Sequence, residues 1–183
     1  MKIATVGRGN IGGGLGKLWA KAGHEVTAIG RDGGDVSGAD VVLIAVPGEA
    51  VGAALASIQG LAGKTVIDAS NLIGAEPPTG FGSNAEFIKS HTGGPTAKAF
   101  NLNFAALFDS LRSTKERPGN LWCGDADARD VTEQLIRDAG YDPIYAGGIE
   151  NAGVQEQFLK LMFAINRGGL GPFFYRMAPS DQF

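Results

Sequence analysis

Apolar residues fall along this chain in short runs parted by glycine-bearing turns, and the spacing within the runs alternates between two periods. Lys2 to Val6 is β-branched and apolar, is closed by Gly7, and predicts a buried strand. From Asn10 to Ala22 the spacing turns helical, with Ile11, Leu15, Leu18 and Trp19 on one side and Gly23 placed to end the helix. Glu25 to Ile29 predicts a second strand. The run VVLIAV, stopped by Pro47, is apolar on both faces, as a central parallel strand must be. Glu49 to Gln59 predicts a helix and KTVIDAS a fourth strand, followed by a Gly/Pro loop from Asn71 to Gly82. Ser83 and Glu86 then form a capping box for a helix running to about Ser90. AKAFN predicts a fifth strand, NFAALFDSLRST a helix and NLWCG a sixth strand. The next helix, within DADARDVTEQLIRDAG, has acids in its first turn and glycine at its end, and YDPIYA predicts the last strand. A long helix from Glu150 to Arg167 carries an apolar stripe of Val154, Phe158, Leu161, Met162 and Ile165, and an aromatic, irregular tail ends the chain.

Strands alternating with helices imply a parallel sheet covered on both faces. One link is short. RDGGDVSGAD joins the second and third strands, where a crossover takes a dozen residues or more, so a helix there is expected to be vestigial.

Composition narrows the field without deciding it. The chain has 183 residues, 44% of them hydrophobic and 19% charged, which suits one domain with a full core. A net charge of -3 gives no reason to expect nucleic acid or a membrane as partner. A single cysteine, Cys123, excludes an internal disulfide, and no metal site is expected. No apolar run approaches the ~20 residues of a membrane span, and no signal peptide is legible, so a cytoplasmic protein is the expectation.

The candidate chemistry sits in the first turn. Gly7, Gly9 and Gly12 form G-x-G-x-x-G between a strand and a helix, the context the dinucleotide fingerprint requires. Gly7 allows the tight turn, Gly9 lets backbone approach a pyrophosphate, and Gly12 lets the helix pack closely. With Arg8, Asn10 and Ile11 they present a helix N-terminus to phosphate. In NAD-binding proteins the second strand ends in an acid that holds the ribose 2′-OH. Gly30 and Arg31 stand there instead, leaving room for a 2′-phosphate and a guanidinium to grip it, which favours NADP over NAD; Asp32 is the competing acid. Arg8 is either a solvated loop residue, a further charge near the phosphates, or a stacking partner for adenine. Ala45, Val46 and Pro47 after the third strand, and Ser70 and Asn71 after the fourth, are expected to flank the ribose and the nicotinamide. The predicted architecture is therefore α/β, a doubly wound parallel sheet of the Rossmann NAD(P)-binding type with a short C-terminal helical segment. Residues 1–149 would form the NADP-binding domain, and residues 150–183 a helix and tail packed on the same domain or on a partner subunit.

No general base is evident. His24 reads as structural and His91 as an exposed helix end; Lys98 could act as a base but reads more readily as a structural or surface charge. Hydride transfer between two ring cofactors needs little acid–base help; it needs two rings held face to face with water excluded.

VGRGNIGGGLG, GHEVTAIGRD, VVLIAVP, TVIDASN, AKAFN, WCGDADA and AGYDPIYAG, in this order and spacing, resemble the NADPH-dependent reductases of the deazaflavin coenzyme F-420 and the wider group of short dinucleotide-binding oxidoreductases around them. The resemblance covers residues 1 to about 153. It implies NADP(H) as cofactor, the deazaflavin as co-substrate, and hydride transfer between the two. It implies that the Gly7–Gly12 turn and Arg31 bind NADP, and that AKAFN lies near the two rings. Asn101 stands where those reductases carry a histidine, which makes it the acceptor-side candidate and leaves the small-molecule redox acceptor open. No catalytic residue is otherwise identified. Phe104 and Phe108 are either acceptor-side or core. The apolar tail favours a homodimer. An NADP(H)-binding sensor without turnover is the alternative.

Overall fold

The computed structural model describes residues 1–182. The described residues hold nine strands: β1 (Lys2–Val6), β2 (Glu25–Ile29), β3 (Gly34–Asp35), β4 (Val41–Ile44), β5 (Ile58–Gln59), β6 (Thr65–Asp68), β7 (Thr96–Lys98), β8 (Gly119–Gly124) and β9 (Asp142–Tyr145). Four α-helices lie between strands, α1 (Asn10–Lys21), α2 (Val51–Ala56), α3 (Asn84–Thr92) and α4 (Arg129–Asp138), and α5 (Ala152–Ile165) follows the last strand. Seven strands form one sheet in the order β2-β1-β4-β6-β7-β8-β9. Every pairing in it is parallel except β7 with β8, which is antiparallel. The doubly wound α/β fold is thus present, with one reversal. The chain between β7 and β8 does not wind an α-helix across the sheet; it forms a 3-10 helix over Ala105–Ser113 and turns back.

Alternation along the strands builds two cores. Ile3, Val41, Leu43, Ile67 and Ala97 meet α1 and α4 on one face. Ala4, Val6, Val42, Ile44 and Val66 meet α2 and α3 on the other. Trp19 and Trp122 are fully buried in the first of these, and the Trp19 indole N–H donates to the Leu135 carbonyl at 2.9 Å, tying α1 to α4. The two buried large ring systems each shed well over 100 Å² of apolar surface on folding.

The predicted elements are largely present, with instructive differences. The link after β2 contains no helix; Gly34–Asp35 pairs instead with Ile58–Gln59 in a separate two-stranded sheet. That pairing also ends α2 at Ala56, short of the predicted Gln59. The capping box forms on one side only. Ser83 Oγ accepts from the Glu86 amide at 3.2 Å, while the Glu86 carboxylate accepts from Gly82 rather than from Ser83. Gly93 closes α3 at φ 66°.

The apolar stripe of α5 is divided between core and surface: Val154, Leu161 and Ile165 are 67%, 51% and 38% exposed, whereas Met162 is buried and Phe158 packs against it. The buried face is Ala152, Gln155, Leu159 and Met162. Hydrogen bonds of Gln155 and an ion pair of Glu156 set this rotation. Beyond a π-turn at Asn166–Leu170 the tail lies on its own chain, where the Gly119 amide donates to the Tyr175 carbonyl and the Leu121 amide to the Tyr175 hydroxyl. Phe104 packs against Phe163 and Phe173 at 6.5 and 5.4 Å, and Phe108 sits in the main core. Among the described residues no helix is long and apolar enough to cross a membrane. Phe183, the last residue of the predicted tail, lies outside the described residues.

Candidate functional site

The carboxyl ends of β1, β2, β4, β6 and β7 lie along one edge of the sheet, where a doubly wound fold places its ligand. Gly7 takes φ 110°, and an added Cβ would stand 2.3 Å from the Ala45 carbonyl oxygen. At Gly12 the Cβ would stand 2.1 Å from the Gly7 oxygen and 3.2 Å from the Ala45 Cβ. Both glycines are therefore required by packing of the turn and of the first helical turn. Gly9 is different. An added Cβ there meets nothing within 4 Å, so no contact within the chain demands glycine, as expected where a ligand comes against the backbone. Gly9 is also the N-cap of α1; no side chain caps that helix and no acid stands in its first turn. The first amides of Asn10, Ile11 and Gly12 are thus left for an anion.

At the end of β2 the Arg8 side chain folds over Gly30. Its Nη2 donates to the Ala28 carbonyl at 3.3 Å, and a Cβ on Gly30 would stand 3.0 Å from the Arg8 guanidinium carbon. Arg31 and Asp32 follow, both exposed. The Arg8 guanidinium thus lies on the end of β2.

Farther along the edge the loops after β4 and β6 touch. A Cβ on Gly48 would stand 2.4 Å from the Asn71 carbonyl oxygen. Asn84, at the start of α3, donates to the Gly48 carbonyl at 3.0 Å and to Ser70 Oγ at 3.1 Å. Asn71 and Asn101 exchange hydrogen bonds. Asn71 Nδ2 donates to the Asn101 carbonyl and Asn101 Nδ2 to Asn71 Oδ1, both at 3.0 Å. Gln155 Nε2 from α5 donates to Asn101 Oδ1 at 2.7 Å and to the Leu121 carbonyl at 3.0 Å. The acceptor-side candidate Asn101 is thereby only 5% exposed and has its side chain engaged from both sides. It braces the edge. Ala45, Val46 and Pro47 stand between the glycine turn and this network, Ala45 touching Gly7 and Gly12 directly.

Beneath Ser70 and Asn71 lies a group of charges. Lys98 Nζ donates to Asp68 Oδ2 at 2.8 Å and to the Ser70 carbonyl at 2.9 Å, and pairs with Glu156 Oε1 at 2.8 Å. The side chains of Lys98 and Asp68 are 0% exposed and that of Glu156 is 9% exposed. Burial draws the ammonium towards neutrality, but the two carboxylates outweigh it and raise its pKa, so Lys98 stays charged. A buried, charged lysine cannot serve as a general base, and of the two other readings, structural or surface charge, Lys98 is the structural one. Asp68, Gln155 and Glu156 were not foreseen. The signal was present, since Asp68 and Lys98 close two otherwise uncharged inner strands and face each other in register.

Phe100, just after β7, has φ 64°, a left-handed conformation that costs a non-glycine residue roughly 1–2 kcal/mol. Its amide donates to Asn120 Oδ1 at 3.3 Å, and its ring is fully buried edge-on against Trp19. The turn places Asn101 at the sheet edge and Asn103 against Asn120. The other titratable candidates lie elsewhere. His24 bridges the chain's amino terminus (3.2 Å) and Asp138 (2.7 Å) at the opposite edge of the sheet, and His91 is exposed at the end of α3. Burial, only partly offset by Lys98, pushes the Cys123 thiol up to about 12, so it is no nucleophile.

No family model matches the chain, and no curated protein matches it in sequence. Solved structures do. A protein from Arthrobacter sp. FB24 described as a "putative f420 dependent nadp-reductase" superposes with a TM-score of 0.81 at 25% identity, over 98% of this chain and 100% of that one. A hypothetical protein from Sinorhizobium meliloti matches at TM-score 0.67 and 24% identity, over 84% of this chain and 88% of that one. A reductive aminase from Aspergillus terreus, in complex with NADPH and ethyl-5-oxohexanoate, shares the fold at TM-score 0.67 and 16% identity. The match takes in 91% of this chain and 62% of the aminase. The resemblance to the deazaflavin-linked reductases and their short relatives, read from the motifs, therefore holds for the folded structure as well.

Proposed function

We propose that this protein is an NADP(H)-dependent oxidoreductase passing a hydride between NADP(H) and a deazaflavin or similar small redox acceptor. The observation that carries the reading is the pairing at one sheet edge of an uncapped α1 N-terminus with the Arg8–Gly30–Arg31 corner. Gly9 and the first amides of α1 would take the pyrophosphate. Arg8 and Arg31 would hold the 2′-phosphate, Gly30 giving it room. Ala45, Val46 and Pro47 would flank the ribose, and the Ser70–Asn71 loop, fixed by Asn84, Asn101 and Gln155, the nicotinamide. When bound, the nicotinamide supplies the hydride chemistry. The chain's own residues orient the ring on a loop held from β6, β7, α3 and α5, and contribute no open titratable group. The Arthrobacter protein's description names both NADP and F-420, which supports the acceptor class. We propose further that the protein acts in the cytoplasm as a homodimer and without a metal. The exposed Val154, Leu161 and Ile165 of α5 support a second copy of the chain as their cover.

The test is nucleotide selectivity. A charge-assisted hydrogen bond is worth about 1.5–3 kcal/mol, so Arg31→Ala should weaken NADPH binding about ten- to a hundredfold and leave NADH binding within about twofold. Equal loss for both nucleotides would remove the 2′-phosphate role.

A further inference from the structure

We infer that Asp68, Lys98 and Glu156 form a buried assembly of net charge minus one that favours the oxidised, cationic nicotinamide over the reduced one, and so biases the site towards giving up hydride. The inference rests on the NADP(H) reading above and adds to it a preference between the two redox forms.

Three observations lead to it. First, the composition of the assembly is unbalanced: one ammonium faces two carboxylates, all at least nine-tenths buried. A pair would satisfy Lys98; the third charge is taken out of water at a cost of several kcal/mol, and Lys98 does not need it. Secondly, both carboxylates bind the loop that carries the site. Asp68 Oδ1 accepts from the Ser70 amide at 2.8 Å, and Glu156 Oε2 accepts from the Leu72 amide at 3.4 Å. The excess charge is therefore anchored directly behind Ser70, Asn71 and Leu72. Thirdly, the surroundings keep its field unscreened. Asn84, Asn101 and Gln155 are neutral, and the nearby Cys123 thiol stays protonated. Lys98 is the cation that ion-pairs with both carboxylates.

A nicotinamide ring carries a positive charge when oxidised and none when reduced. A buried negative charge behind it acts on that difference alone, whereas hydrogen bonds to the pyrophosphate and the 2′-phosphate act on both forms equally. Only the differential part shifts the equilibrium between them. A unit charge about 10–15 Å away, at an effective dielectric near 20, changes a binding constant by roughly six- to sixteenfold.

The experiment is a pair of equilibrium titrations, of NADP⁺ and of NADPH, on the wild-type chain and on Glu156→Gln. The isosteric amide keeps an acceptor for Leu72 and leaves Lys98 paired with Asp68. The ratio of the two dissociation constants should move about six- to sixteenfold against NADP⁺, while NADPH affinity changes by less than about twofold. Glu156→Asp, which keeps the charge, should leave the ratio close to wild type. Asp68→Asn neutralises the other carboxylate and should move the ratio in the same direction; it substitutes for Glu156→Gln if that variant does not fold. An unchanged ratio in the neutralised variants, or equal weakening of both nucleotides, would overturn the inference while leaving the cofactor assignment intact. A wild-type chain that binds neither nucleotide would overturn the cofactor assignment itself.

Discussion

Replacing Lys98 with methionine isolates the buried charge assembly as a determinant of stability. The side chain is of similar length and fills the same space, so the packing loss is small. What changes is electrostatic. Asp68, wholly buried, and Glu156, 9% exposed, would face each other with no cation between them. Removing one partner of a buried ion pair costs about 3–5 kcal/mol, because the remaining charge stays desolvated. The Ser70 carbonyl also loses its donor at 2.9 Å, which adds to the cost. For a domain of this size each kcal/mol lowers the melting temperature by about 2–4 °C, so Lys98→Met should melt about 6–20 °C below wild type. Circular dichroism at neutral pH measures this directly. Adding Asp68→Asn and Glu156→Gln to Lys98→Met should recover most of the loss, since an apolar or neutral replacement of the whole set is close to isoenergetic. Glu156→Gln alone should be near neutral in stability. A drop below about 2 °C for Lys98→Met would mean that water reaches the carboxylates, and the account of a dry, charged edge would fail.

The glycines of the turn offer a contrast between neighbours. Gly12→Ala drives a methyl to 2.1 Å from the Gly7 oxygen and should cost about 1–3 kcal/mol as well as nucleotide binding, read by thermal melting and titration. Gly9→Ala meets no atom of the chain and should leave the melting temperature nearly unchanged while weakening nucleotide binding. Alkaline pH tests the tail. Burial pushes the Tyr175 hydroxyl up to about 12, against a smaller opposing pull from the Leu121 amide, from an ordinary value of 10.0. Between these values the folded chain holds a proton that the unfolded chain has lost. Stability from this group is therefore full below pH ~10 and falls by up to about 1.4 kcal/mol per pH unit above it. Chemical denaturation across that range reads the slope, and Tyr175→Phe should reduce it.

Much of the fold was legible because its determinants are local. A buried parallel strand is a continuous apolar run, so VVLIAV could be little else, and the glycine turn announced itself by its position between a strand and a helix. Ser83 and Gly93 bounded α3 through capping, which is also local. What escaped depends on tertiary choices. Strand direction is not written in a hydrophobic pattern, so the antiparallel entry of β8 could not be read from NLWCG. The apolar stripe of α5 is only partly buried, because Gln155 and Glu156 have polar partners on β7 and its following turn and take inward positions that periodicity of hydropathy does not assign to them. The left-handed Phe100 has no sequence signature. Its role in placing Asn101 appears only once the ring of Phe100 is seen locked against Trp19. The glycines, Arg8, Gly30 and the loop residues of the predicted site all come to one edge, whereas the supports behind them come from α5, more than fifty residues beyond the last strand expected to carry them.

The central claim is hydride transfer from NADPH. The most direct test is to follow NADPH absorbance with the purified chain and an oxidised acceptor, the deazaflavin coenzyme F-420 beside free flavin, a quinone and a ferric chelate. Turnover is expected with the deazaflavin or one of these small acceptors, slower with NADH than with NADPH. Tight NADPH binding with no turnover on any acceptor would contradict it and indicate a nucleotide sensor.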